Sequence, residues 1–269
     1  MDSVPRIFVE SVCLCLDHSS RQASESIPFL WGKVSTVLLY KIHTLFVHHD
    51  NNEEKLYAAA MSVFSCNVVS LDSVSLKFIT NFCISSSDPF DRKPPWKEIT
   101  VVDLQKLLHL MRPTAERSHH MRYIYKSCCS LEAIRPTGIT RNLFSMRLPV
   151  DCVTLSFDSK EVQAAAEEFL ENAEPLYSVS IWDTHSALKQ STVDALMSDK
   201  KVALVLWPEG ATESSKVTDF FDFDKHYSSV KRLKRRRVIA IREGAKLKLR
   251  VQYTCEGDIQ CKWKAPSRK

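Results

Sequence analysis

The side chains best suited to chemistry in this sequence are two adjacent histidines, two adjacent cysteines, scattered carboxylates and one dense run of bases. His119-His120 and Cys128-Cys129 are metal-ligand types, but zinc sites take ligand pairs separated by about two to four residues. Adjacent side chains ligate poorly together, so these four read as a solvated helix end followed by core thiols. Cys255 and Cys261 bracket Glu256-Gly257-Asp258 and face each other across a hairpin as packing residues. Glu167-Glu168, Asp219, Asp222 and Asp224 offer carboxylates without a partnered histidine, and Asp224 lies near His226 in sequence only. They read as a solvated face. No catalytic residue, cofactor or metal is expected, and the chain is not expected to be an enzyme.

Glycine usage points the same way. Phosphate cradles, nucleophile elbows and dinucleotide turns need glycine where the backbone turns tightly or approaches a ligand. Gly32, Gly138, Gly210, Gly244 and Gly257 are the five in the chain, too far apart to form such a motif.

The sharpest charge feature is Lys231-Arg232-Leu233-Lys234-Arg235-Arg236-Arg237. Residues 231–269 hold 14 Lys and Arg against Glu243, Glu256 and Asp258, a net of +11, while the other 230 residues carry 23 bases against 29 acids, a net of −6. A basic patch at Lys231, Arg232, Lys234, Arg235, Arg236 and Arg237 fits nuclear import, contact with phosphates or an acidic partner, or a solvated lead-in to the strand Val238–Ile241. No aromatic residue interleaves it, which argues against single-strand binding.

The elements that position these groups follow from composition and periodicity. A chain of 269 residues, 44% apolar and 26% charged, buries a core without disulfides or metals. Nine scattered cysteines, mostly within apolar stretches, fit a reducing compartment, and the expected location is cytoplasmic and/or nuclear. The longest apolar runs, Leu56–Met61 and Val202–Trp207, are far short of the ~20 residues that span a bilayer. The N-terminus has no basic start or long apolar core, so no secretory signal and no membrane association are expected.

Val4 to about His49 reads as helical, with Phe8, Val12 and Leu16 as one stripe of a first helix and an apolar stretch from Trp31 through Val34 and Leu38. His48 to Glu54 reads as a polar linker between domains, Leu56–Met61 as a helix, and Val74, Leu76 and Phe78 as alternate positions of a strand. Ser85–Pro89 and Lys93–Pro95 mark a loop. Val102–Met111 reads as a helix ending before Pro113. From residue 150 the pattern is more regular. Strands are expected at 152–157, 177–182 and 202–207, with a helix over 159–173 capped by Ser159 and led by Glu161, and another over Ser191–Met197.

Val153, Val179 and Leu204 recur at steps of 26 and 25 residues. That interval suits parallel strands with crossovers. It falls in the range of leucine-rich-repeat spacing, and a plain βαβ sheet gives the same rhythm. Lys246–Tyr253 and Gln260–Trp263 alternate and pair as antiparallel strands across Glu256-Gly257-Asp258.

The opening residues resemble an F-box, the helical module that docks substrate adaptors onto the Skp subunit of cullin-based ubiquitin ligases. The family pattern begins Leu-Pro, runs through apolar positions on a first helix and ends at a tryptophan. Here Val4-Pro5 matches the start, Phe8, Val9, Val12 and Leu16 the first helix, Ile27 the position before the tryptophan segment, and Trp31 the tryptophan, with Val34 after it. Met-Asp-Ser-Val-Pro is similar to the starts of a large nematode set of F-box-like proteins. Arg21, Gln22 and Ser24 occupy second-helix positions that are usually apolar in the family, and Pro28 stands ahead of the third helix.

The expected architecture is therefore α/β: a small helical F-box-like module over residues 1–48, then an α/β substrate-recognition region over 55–269, leucine-rich-repeat-like or βαβ, ending in antiparallel strands. The resemblance implies a substrate adaptor whose partners are a Skp-like protein, held through Val4, Pro5, Phe8, Val9, Val12, Leu16, Ile27 and Trp31, and an unidentified target protein. The alternative is a non-ligase binding protein whose basic C-terminal region contacts nucleic acid or an acidic partner.

Overall fold

A computed structural model describes residues 4–16, 18–50, 52–86, 95–111, 129–133, 138–157, 159–173, 176, 178–182, 192, 196, 203–206, 224, 227–234, 237–241, 248–253 and 259–264. The chain divides into two compact units, residues 1–132 and 133–269. Both mix helices with a sheet, so the α/β class holds.

In the first unit, three helices lead: α1 (Arg6–Cys15), α2 (His18–Ser24) and α3 (Leu30–Lys41). Strands β1 (His43–Asp50), β2 (Lys55–Ser62), β3 (Val68–Val69), β4 (Ile79–Ser85), β5 (Lys97–Ile99) and β6 (Ser130–Ala133) form its sheet, with α4 (Val101–Leu110) after β5. β1 is central, antiparallel to β2 and parallel to β4, which is parallel to β6; β3 and β5 both lie along the far side of β2.

The N-terminal helices form as expected but end at Lys41, not near His49, because His43 already opens β1, and the core stripe of α1 is not Phe8, Val12 and Leu16. Val9, Cys13 and Leu14 are buried there, in one cluster with Val34, Leu38, Ile42, Val63 and Phe78. A helix apolar on more than one side leaves that choice to whatever packs against it. The polar second helix is absorbed by hydrogen bonds. Buried Arg21 donates from Nε to the Leu16 carbonyl at 2.8 Å, Ser35 Oγ donates to the Arg21 carbonyl at 2.8 Å, and Ser24 Oγ donates to the Ser20 carbonyl at 2.7 Å. Gly32 permits the first turn of α3 to sit on the preceding turn, since a Cβ there would meet the Ile27 carbonyl oxygen at 2.3 Å.

Three readings are corrected here. His48–Asp50 are no linker: they close β1 and are buried, and β1 pairs with β2 in an antiparallel hairpin that has a turn at 52–54. Eight register pairs with β2 satisfy that backbone, so polar letters alone gave the wrong sign. Leu56–Met61 is not helical but lies in β2, where Ala58, Ala59 and Ala60 are fully buried between covered faces. Alanine's helix propensity loses to strand pairing on both edges. Val74, Leu76 and Phe78 are no strand; they fall in and around two 3₁₀ turns, Leu71–Ser73 and Leu76–Phe78, and β4 begins only at Ile79. Ser70 Oγ accepts from the Asp72 amide at 3.3 Å, the side-chain-to-backbone competition that favours turns over strands. The helix read at Val102–Met111 is α4. Most of the loop read over 85–95 lies outside the described residues.

The second unit holds α5 (Gly138–Ser145), β7 (Cys152–Ser156), α6 (Lys160–Asn172), β8 (Ser178–Trp182), β9 (Ala203–Leu206), β10 (Ser229–Lys234), β11 (Arg237–Ile241), β12 (Lys248–Tyr253) and β13 (Ile259–Lys264). The sheet runs β7-β8-β9-β13-β12-β11-β10. β7, β8 and β9 are parallel, with Val153 beside Val179 beside Leu204, as their spacing predicts. Val153, Leu155, Val179 and Ile181 are buried on one face, while Thr154 and Ser180 on the other are half-buried.

α6 is the expected helix. The Ser159 hydroxyl accepts from the Val162 amide at 3.3 Å, and Val162, Ala166, Phe169 and Leu170 are buried. Phe169 stacks obliquely on Phe144 of α5 at 5.5 Å between ring centroids, worth about 1 kcal/mol beyond area burial. Of the helix read at Ser191–Met197, only Thr192 and Leu196 are described, both helical and buried. The C-terminal strands are antiparallel, with Tyr253 opposite Ile259, and the residues between these two lie outside the described residues.

Candidate functional site

The eight N-terminal residues singled out in the sequence divide between inside and outside. Val9 is fully buried and unavailable to a partner, and Val4 and Trp31 are half-buried against its cluster. Val12 and Leu16 are half-buried. Pro5, Phe8 and Ile27 are exposed, joined by two residues that sequence reasoning passed over, Ile7 at 74% and Phe29 at 68% exposure. Solvent-facing apolar side chains thus gather at the start of α1 and in the turn ahead of α3.

Phe29 carries a second signal. It stands at φ 67° and ψ −135°, ahead of α3, in a region that side-chain-bearing residues rarely adopt. Holding an aromatic residue there costs on the order of 1–3 kcal/mol, and such strain clusters at functional positions. A proline immediately before it is the only sequence cue.

The basic run does not make one face. Lys231, Arg232 and Lys234 are strand residues of β10, Arg237 opens β11, and Arg235 and Arg236 lie outside the described residues. The run read as a lead-in is itself an edge strand, paired with the strand it was thought to precede. Successive strand positions alternate faces, so Lys231, opposite Ile239, and Arg232, opposite buried Val238, are on different sides.

A polar row missed in the sequence crosses the carboxyl ends of the parallel strands in the first unit. His48 of β1 is beside Ser85 of β4, which is beside Glu132 of β6. Ser85 Oγ donates to Glu132 Oε2 at 2.8 Å. His48 is 4% exposed, and among the described residues neither of its ring nitrogens meets a hydrogen-bond partner. Trp96 lies edge-on to His48 and to Phe46, at centroid distances of 6.3 and 5.8 Å. Burial pushes the pKa of neighbouring His49 down, with the charge of His48 adding to it and Asp50 and Glu54 opposing. The row was hidden because its first member was read as linker.

Among the described residues no group of histidine, cysteine and carboxylate ligands is suited to a metal, and no helix is long and apolar enough to cross a membrane. An open groove of about 520 Å³ lies between the first 3₁₀ turn, β5 and α4, with Val74, Leu76, Ile99, Leu107 and Leu110 in its lining. The Lys97–Asp72 ion pair at 3.0 Å borders it. The groove is large enough to receive apolar side chains of a partner.

No protein-family model matches the chain, and no curated protein or solved structure matches it.

Proposed function

We propose that the protein is a substrate-recognition adaptor of the Skp-cullin-F-box type, docking a Skp-like subunit through α1–α3 and a target protein through the α/β region behind them. In this reading the chain performs no chemistry itself. The observation that carries it is the partition of α1: Val9, Cys13 and Leu14 close the core while Ile7 and Phe8 stay in solvent, with Ile27 and Phe29 exposed in the turn before α3. Exposed large apolar side chains backed by a rigid core are what a docking surface presents. Val9, part of the family pattern, serves that surface only from behind.

A leucine-rich-repeat-like build of the target-binding region draws on the 26- and 25-residue steps linking Val153, Val179 and Leu204. The parallel run stops at β9, whose other neighbour, β13, is antiparallel. A repeat of this kind is therefore confined to β7–β9.

The test is co-purification of a Skp subunit with the full chain and with a Pro5→Ala/Phe8→Ala double variant. Recovery with wild type, lost in the double variant at unchanged circular dichroism, supports the adaptor. No recovery with wild type, or equal recovery with the variant, overturns it.

A further inference from the structure

Strands β10 to β13 contain eight lysines and arginines and no aspartate or glutamate. Their registers sort these bases. Lys231 of β10 shares a cross-strand row with Ile239, Arg250 and Lys262; Ser229 shares the next with Ile241, Lys248 and Lys264; Arg237 shares a third with Gln252 and Gln260, and pairs on its other side with Lys234 past a register shift. In unbroken register, six bases and two amides therefore fall on one face of a four-stranded sheet. The opposite face takes Val238, Leu249, Val251, Tyr253, Cys261 and Trp263, with Arg232, opposite Val238, as the base that falls there. Exposure agrees where it is described: Lys231 is exposed on the basic face, and Val238 on the other is buried.

Two adjacent rows place like charges directly opposite one another, Arg250 against Lys262 and Lys248 against Lys264. Cross-strand partners are about 5 Å apart at Cβ, and like charges there destabilise the sheet. Folding thus concentrates four cations in a block that an anion array would relieve.

We propose that this face binds the phosphate backbone of a nucleic-acid duplex. The choice of partner rests on what shares the face with the bases. A protein interface is anchored by aromatic residues, and a single strand is held by bases stacking on them. Tyr253 and Trp263, the aromatic residues of these strands, fall on the other face, and only Ile239 and Ile241 interrupt the bases. What remains is charge and amide donors in regular rows, suited to phosphates at high charge density and indifferent to base sequence. The assignment uses registers of the second unit alone and stands apart from the docking reading of α1–α3.

The experiment is fluorescence anisotropy of a labelled mixed-sequence DNA duplex titrated with the full chain over a range of salt. Six neutralised phosphates at about −0.9 each give a log–log salt slope near −5. Replacing Lys248, Arg250, Lys262 and Lys264 by Gln should weaken the slope to about −2, while the urea midpoint holds or rises because the opposed charges are gone. Replacing exposed Lys106, Arg141, Arg147 and Lys160 instead should leave the slope nearly intact. Should the first quadruple variant not fold, Arg250→Gln and Lys264→Gln singly should each remove about one unit of slope. The proposal is overturned by absence of duplex binding at low salt, by an unchanged slope in the first quadruple or the single variants, by equal loss in the second quadruple, or by polyglutamate or single-stranded DNA binding as tightly as the duplex.

Discussion

Phe8 and Val9 are chain neighbours on α1 with opposite fates: Val9 has no exposed surface, and Phe8 is 53% exposed. Val9 belongs to the cluster that joins α1 to α3 and to Ile42, Val63 and Phe78, so the face of α1 that meets solvent is set by the face that meets the sheet's flank. The two positions separate stability from docking. Val9→Ala should cost about 2 kcal/mol, read as a lower urea midpoint at unchanged slope. Phe8→Ala should stay within about 0.5 kcal/mol of wild type and lose Skp recovery. A destabilised Phe8 variant would mean that this ring is packed, not presented.

Phe29 offers a second separation. Glycine adopts positive φ without the penalty that a side chain carries there. Phe29→Gly should therefore hold or raise the thermal midpoint by relieving strain, while removing an exposed aromatic ring from the docking surface. A fall of several degrees at intact docking would show that the ring supports the turn.

The start of α4 makes a local test. Thr100 Oγ1 accepts from the Asp103 amide at 3.1 Å, and Asp103 Oδ2 accepts from the Thr100 amide at 3.1 Å and from its hydroxyl at 2.7 Å. These bonds from Thr100 hold the Asp103 carboxyl below its ordinary value. A depressed carboxylate stabilises above its unfolded pKa and loses that contribution as pH falls through the folded one. Thr100→Ala should cost about 1 kcal/mol at pH 7. The gap from wild type should narrow at about pH 3, measured by urea midpoints.

His49 sets a window nearer neutrality. Burial lowers its folded pKa below the ordinary histidine value of about 6.5, so between the two values the unfolded chain binds more protons than the folded one. Stability is present above 6.5 and falls as pH drops toward the folded pKa. His49→Gln should flatten that fall between about pH 7.5 and 5.5 in urea titrations. An unchanged slope would assign the acid sensitivity elsewhere.

How far the fold was legible depended on how far each signal reached along the chain. α6 could be read because Ser159, Glu161 and the spacing of Val162, Ala166, Phe169 and Leu170 all lie within a few turns, and caps and periodicity act at that range. The parallel β7–β9 followed from chain length between strands, and β12–β13 from alternation on either side of a turn. Leu56–Met61 went the other way, since alanines favour a helix until β1 and β3 or β5 pair on either side. His48, Ser85 and Glu132 are dozens of residues apart and became a row only through β1–β4 and β4–β6 registers.

The basic segment shows the division most clearly. Composition alone determined that the last 39 residues carry a net of +11 and that strands alternate there. Which bases share a face was decided by inter-strand register, which put Arg250 opposite Lys262 and separated Lys231 from Arg232. In the same way, sequence showed that α1 is apolar on more than one side, and tertiary structure chose which side. The physical reason is common to both cases. Alternation and helical periodicity are properties of a single segment, whereas burial is the removal of a face from water by another segment, and that partner is specified only when the whole chain has folded.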